Sequence, residues 1–367
     1  MKVRNWFVVV ALCLALVVPR AALAQITGAT PVIIAGDPNG TPPDSPTNRI
    51  DPNTTTSPWA GVGSIRITVG SNTFICTATP ITPRHILTAA HCVDVNNNGT
   101  IDCAQNGVTF FLNFGGNLTH SIQSSAIVVH PNWTGFGNPN VNDDLCVITL
   151  SEDLPAGVPI YNLFTGVINA GTTFTAVGYG TTGDGVNGFI SGSASFQTKR
   201  VGQNQMDQFL LDDEGSGNRE IFQFDFDGPT GNGSMGGPTL GNDIETTFGG
   251  GDSGGPSFIF HDGQWKIAGV NTFIAGGTAS APLFGSLAGG MYIPTYAPWI
   301  NSVASVPEPA TLSLTALGMT ALARRRKARA KLKAQKAEAT SARTTARARL
   351  ARRSRTFRLV RAERIGK

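Results

Sequence analysis

Long runs with helical periodicity are scarce in this chain, and charge is sparse: only 14% of its 367 residues are Asp, Glu, Lys or Arg. A predominantly helical domain is excluded on that ground. Short runs rich in Val, Ile, Phe and Thr recur instead between clusters of Gly, Asn, Asp and Pro, with 44 glycines and 22 prolines in all. That is the pattern of an all-β sandwich or barrel, in a chain long enough for a sizeable core.

No apolar run is long enough to span a bilayer comfortably. The N-terminal stretch has Lys2 and Arg4, an apolar run from Trp6 to Val18 and a small-residue Ala22-Leu23-Ala24 site. It is too short for a retained anchor and reads as a secretory signal peptide over 1–24, cut after Ala24. Export places the chain where disulfides persist. Cysteine is scarce too. Cys13 leaves with the leader, and Cys76, Cys92, Cys103 and Cys146 remain, which allows three pairings.

The formal net charge of +4 hides two opposite halves. From Arg324 onward there are 18 Lys/Arg against two Glu, leaving 10 Lys/Arg against 22 Asp/Glu elsewhere. The body is acidic and the tail strongly basic. Residues 328–367 read as a solvated, disordered arm, with no nucleic-acid partner expected. Residues 25–49, rich in Pro, Thr, Gly and Asn, read as a linker or short propeptide.

Chemistry concentrates in three places: "LTAAHC" at 87–92, "DDLCVITL" at 143–150 and "GDSGGP" at 251–256. The last also fits the Gly-x-Ser-x-Gly elbow of α/β-hydrolases, whose histidine must follow the serine. Only His261 does, eight residues on and inside an apparent hairpin. The order His91, Asp144, Ser253 suits another arrangement. Together the three blocks resemble the trypsin/chymotrypsin-like serine proteases, over about 50–304.

The resemblance implies two six-stranded antiparallel β-barrels of the chymotrypsin type with a short C-terminal helix. The first barrel carries His91 and Asp144, the second Ser253, and the site lies in the cleft between them. Ser253 would attack the scissile carbonyl, His91 would shuttle the proton, and Asp144 would hold the imidazole. The N–H groups of Gly251 and Ser253 would form the oxyanion hole, where one lost donor costs ~2.7–4 kcal/mol of transition-state stabilisation. A Cys76–Cys92 disulfide is implied beside the histidine. No cofactor is required, and the substrates are proteins or peptides. A protease fold that is catalytically silent and serves as a binding module at the cell envelope is the rival reading. The intact set of three side chains argues against it.

The family pattern also fails in places. No Cys follows Ser253, so the bridge across the specificity pocket is absent, and Thr247 stands where trypsin-type enzymes carry an Asp. Asp243 and Glu245 lie nearby as alternative acids. Thr247, Thr272, Phe273, Ile274 and Gly290 are the expected pocket residues, and the bulky Phe273 and Ile274 favour a small apolar substrate side chain. No Ile-Val-Gly-Gly occurs to supply the amino terminus that pairs with the Asp beside the nucleophile, here Asp252. Arg49-Ile50 is the nearest candidate, making Ile50 the mature N-terminus.

Two further motifs remain. "DVNNNGTIDCAQ" at 94–105 matches the opening of a calcium loop, with Asp94, Asn96, Asn98, Thr100 and Asp102 as ligands. Gln105 replaces the bidentate Glu, and a plain Asn/Gly turn is the alternative. Cys103, near the end of that loop, either pairs with Cys146 or both stay thiols. At 305–327 a Pro-Glu-Pro, an apolar stretch from Ala310 to Ala323 and an Arg cluster resemble the PEP-CTERM sorting signal of bacterial exported proteins. This implies processing by an exosortase-type enzyme, transient membrane association through a short transmembrane segment, and a secreted or cell-envelope location in a bacterium.

Overall fold

A computed structural model describes residues 33–136, 143–231, 233–276 and 282–305. The expected signal peptide, sorting segment and basic tail lie outside the described residues. Among those described, no helix is long and apolar enough to cross a membrane.

Six strands close a barrel: β1 (Gly63–Val69), β2 (Asn72–Pro80), β3 (His85–Thr88), β4 (Val108–Leu112), β5 (His120–Val129) and β6 (Cys146–Leu150). Their order around the barrel is β1-β2-β3-β6-β5-β4, antiparallel throughout, with β1 pairing β4 to close it. Alternation along β1 explains its register. Ile65 and Ile67 are fully buried while Arg66 and Thr68 face out, the period of two that a half-buried strand requires. Phe110, Leu112, Ile122 and Ile148 complete the interior.

The second half contains β7 (Asn162–Leu163), β8 (Thr172–Gly178), β9 (Gly183–Asp184), β10 (Gly188–Phe189), β11 (Arg200–Met206), β12 (Gln208–Leu211), β13 (Arg219–Asp225), β14 (Pro256–His261), β15 (Gln264–Ala275) and β16 (Leu287–Tyr292). One sheet runs β11-β8-β14-β15-β16-β13-β12, with β7 pairing β15 in parallel and β9-β10 forming a separate ribbon. Among the described residues the second sheet is not closed, ending at β12 and at β11, which is bridged further to Ile50 and Glu245, where six closed strands were expected. A core of Phe174, Phe222, Phe224 and Phe248 fills it, each phenylalanine worth ~1.5–3 kcal/mol of apolar burial. The chain then enters α1 (Ile293–Ala304), whose Tyr296 and Ile300 point inward.

The two halves are joined by aromatic packing and one buried hydroxyl. Trp59 stacks on Phe258 at 5.2 Å, and Tyr161 lies 4.7 Å from the same ring. Tyr179 is fully buried. Its hydroxyl donates to Val62 O at 3.1 Å and accepts from Asn113 Nδ2 at 3.1 Å, so burial without a lost hydrogen bond carries no penalty.

Residues 33–50 correct the linker reading. Ile33, Ile34 and Ala35 are buried. Ile34 N–H donates to Thr247 O, and Thr182 Oγ1 donates to Ile33 O at 2.7 Å. Arg49 is fully buried. It pairs with Asp44 and donates to the carbonyls of Asn242, Ile244 and Glu245. Composition misleads here because the turn-forming residues hide two isoleucines and one buried ion pair.

Candidate active site

His91 sits on a single 3-10 turn, Ala90–Cys92, directly after β3. The Cys76–Cys92 disulfide ties that turn to β2. Asp144 enters β6, is fully buried, and holds His91 twice. Its Oδ1 accepts the His91 backbone N–H at 2.8 Å, and its Oδ2 lies 2.7 Å from Nδ1. The second bond fixes the tautomer with the proton on Nδ1, leaving Nε2 as the base. The ring is 16% exposed while the carboxylate is not exposed at all, so one face of the imidazole meets solvent. Phe136 covers another face at 4.9 Å and is itself backed by Trp133.

Ser253 lies half-buried on a tight turn between the sheets. Its carbonyl accepts from Thr77 N–H at 2.9 Å, which binds the turn to β2. Gly254, at φ +78°, packs so closely that an added Cβ would lie 1.9 Å from Thr88 Oγ1 and 2.8 Å from Ala89 N. The nucleophile turn is therefore pressed onto the residues leading into His91. Among the described residues the Ser253 hydroxyl makes no side-chain hydrogen bond, and the N–H groups of Gly251 and Ser253 have no acceptor. Gly251 has φ +101°, a conformation that a side chain would strain, and a Cβ there would meet Gly180 Cα at 3.0 Å.

Thr77 carried no signal in the sequence, yet it organises this turn. Its Oγ1 donates to Gly251 O at 3.0 Å and accepts from Tyr179 N–H at 3.1 Å, while Thr88 Oγ1 donates to its carbonyl. A threonine on a strand reads as ordinary β-propensity, so only the folded turn shows its role.

Asp252 is fully buried and accepts from Gly180 N–H at 2.7 Å and Gly249 N–H at 2.8 Å. Burial pushes its carboxyl up to about 7, against the two N–H bonds and the nearby Arg200 guanidinium. Arg200 in turn donates to Gly180 O at 3.1 Å. Ile50 is bridged to Arg200 through its backbone and is 43% exposed.

Beside Ser253 lies a shallow depression lined by Phe248, Gly249, Gly250, Asn271, Thr272, Phe273 and Ile274. Three of the expected pocket residues are there. Thr247 is buried behind the wall, its carbonyl taken by Ile34, and Gly290 packs against Val270 and Phe222 on β16. Neither lines the depression, nor do Asp243 and Glu245. Glu245 is spent on the N–H groups of Asp227 and Leu240.

The 94–105 loop uses its oxygens internally. Asp94 accepts from Asn98 N–H, Gly99 N–H and Trp133 Nε1–H, Asn98 Oδ1 accepts from Thr100, and Asp102 accepts from Asn96. A cation there would have to displace those donors. Cys103 and Cys146 are both free and buried, and burial raises both thiols.

Comparison with solved structures finds a thermostable serine protease, AL20, from an extremophilic microorganism, at 15% identity and TM-score 0.45, covering 68% of this chain and 98% of that one. HL collagenase matches at 18% identity and TM-score 0.47, over 68% and 95%. The protease Anisep from Arthrobacter nicotinovorans matches at 16% and 0.44, over 67% and 96%. No curated protein matches the sequence significantly. The PEP-CTERM protein-sorting motif matches residues 305–327. The trypsin family matches residues 51–300, most of the chain. The chain belongs to the trypsin family of serine proteases and carries a PEP-CTERM sorting motif behind the protease domain.

Proposed function

We propose that the protein is an exported serine endopeptidase that cleaves peptide bonds through an acyl-enzyme formed on Ser253. The observation that carries this is the double hold of Asp144 on His91, with the Ser253 turn bonded to β2, the strand whose Cys76 is disulfide-linked to the His91 turn.

Substrate binding brings Ser253 Oγ within reach of His91 Nε2, a contact that often tightens only in the substrate complex. Oγ attacks the carbonyl carbon as Nε2 takes its proton, and the unacceptored N–H groups of Gly251 and Ser253 receive the oxyanion. The protonated imidazole, steadied by Asp144, then gives its proton to the leaving amine. Water repeats the sequence on the acyl-enzyme and releases the acid. Asp144 keeps the proton on Nδ1 and stays ionised.

The depression carries no charged side chain, and Phe273 and Ile274 narrow it, which supports a small apolar residue on the acyl side of the cut. The Arg49–Ile50 bond does not suit maturation, because Arg49 is buried and bonded at both ends of its guanidinium. The better candidate for a new amino terminus is Ile33, whose N–H donates to Thr246 Oγ1 at 3.2 Å in the uncut chain. Ile33-Ile34-Ala35-Gly36 has the apolar pair and closing glycine of the family's activation tetrapeptide. Ile33 O also accepts from Thr182, two residues beyond the Gly180 that bonds Asp252. Export and sorting follow from the PEP-CTERM motif, with an exosortase-type enzyme as the processing partner.

The test is labelling of the purified enzyme with a fluorophosphonate probe. Wild type is expected to label and Ser253→Ala not to label. A wild-type protein that folds but neither labels nor cleaves a peptide library would make it a silent binding module.

A further inference from the structure

Around Asp143, the residue before Asp144, four carboxylates converge. Asp143, Asp213, Glu214 and Glu220 each place an oxygen within 4.8 Å of the others. Asp213 and Glu214 are exposed at the mouth, and Asp143 and Glu220 form the floor at 1% and 5% exposure. We propose that this cluster is a binding site for a calcium ion, held between the β12–β13 turn and the residue that precedes the catalytic acid.

Two buried oxygens point to a ligand. Asp143 Oδ2 and Glu220 Oε2 have no hydrogen-bond partner, although both are shut off from solvent. Asp143 Oδ1 is 2.9 Å from His130 Nδ1 but in a geometry that makes no hydrogen bond. Leaving a buried acceptor unmet costs ~1–3 kcal/mol, more if it is charged. The polar groups around the floor are otherwise committed. Tyr296 hydroxyl accepts from Asp143 N–H at 3.2 Å and donates to the Glu220 carboxylate, and Asn132 Nδ2 donates to Glu214 at 2.6 Å. Among the described residues, the lysines and arginines that form ion pairs do so elsewhere. The nearest basic side chain among the described residues is His130, boxed by Tyr296 and Trp299.

The ligand chemistry selects the ion. Oxygen-only donors suit a hard cation rather than zinc or copper. Oxygens bound at ~2.3–2.6 Å lie at most about 5 Å apart across a calcium ion, so four oxygens this close together can share one ion without moving the backbone. Two flexible surface carboxylates fit the loose geometry calcium accepts, whereas magnesium demands a near-ideal octahedron. The other acid-rich loop, 94–105, has its oxygens already bonded, so the two sites are separable.

The experiment is calcium titration of the purified, chelator-treated protein by calorimetry, with thermal denaturation in parallel. Wild type is expected to bind one ion and melt at higher temperature in millimolar calcium. Asp213→Asn with Glu214→Gln, both exposed and safe for folding, should weaken binding at least tenfold. Glu220→Gln should abolish it, and Asp94→Asn should leave the affinity unchanged. Absence of heat and of any melting shift in wild type would overturn the proposal. So would binding that survives the acid variants and vanishes with Asp94→Asn. Neither reading depends on whether the protein cleaves peptides.

Discussion

Asp143 and Asp144 are neighbours in the chain and lie beside two different histidines, but only Asp144 is hydrogen-bonded to its own. Asp144 lies 2.7 Å from His91 Nδ1, and Asp143 lies 2.9 Å from His130 Nδ1. Asp143 itself sits at φ +52°. Asp is among the residues that tolerate this left-handed conformation.

Asp144→Asn should retain the fold and lose activity. The amide keeps the packing but favours the wrong imidazole tautomer, and a loss of about 10⁴ in kcat is expected on the pattern of such triads. Steady-state kinetics with circular dichroism checks both halves of this statement.

Gly251→Ala should lower kcat with little change in KM. A Cβ at φ +101° strains the turn and presses on Gly180 and Ile75, moving one oxyanion donor. The expected loss is roughly 10²–10³. Equal loss in ground-state binding would place the damage elsewhere.

Ile274→Gly should widen the depression beside Ser253. Cleavage profiles of a peptide library are expected to shift from small aliphatic residues toward aromatic ones on the acyl side. An unchanged profile would mean that Phe273 alone sets the depth.

Amino-terminal sequencing of the active, secreted enzyme should begin at Ile33, not at Gln25 or Ile50. In the same segment, Arg49→Met leaves Asp44 buried without its cation. That should destabilise the fold by about 3–5 kcal/mol, measurable by denaturant unfolding.

Glu220 gives a pH signature. Burial, then the charges of Asp143, Glu214 and Asp212, push its carboxyl from an ordinary 4.5 up to about 8, with the Tyr296 hydroxyl opposing. Asp213 and His130 also face the cluster. Between those two values the folded protein holds a proton that the unfolded chain has released. Stability should therefore fall as pH rises from about 4.5 through 8 when calcium is chelated. Millimolar calcium should flatten that fall, because the ion takes the proton's place. Melting temperatures across this range, with and without chelator, measure it.

The mostly-strand architecture was legible from alternation and turn residues, while the Cys76–Cys92 disulfide and the pairing of Asp144 with His91 were reached through the family resemblance of the three motifs. The pocket was half legible. Thr272, Phe273 and Ile274 follow directly from the strand that carries them, whereas Thr247 and Gly290 depend on how far a loop folds back before meeting the wall. Thr77 and the buried Ile33–Arg49 segment were not legible, because the partners that bury them, Tyr179 and Gly251 for the first and residues 242–247 for the second, stand more than a hundred residues away in the chain.

By itself, the sequence determined which groups could do chemistry and in what chain order they arise. Only the tertiary structure decided which carboxylate meets which histidine and which acids crowd one floor without a counter-charge. It also decided that a proline-rich segment is part of the core. The physical reason is range. Propensity and turn chemistry act over a few residues, while hydrogen bonding, burial and repulsion act on whatever the fold brings within a few ångströms.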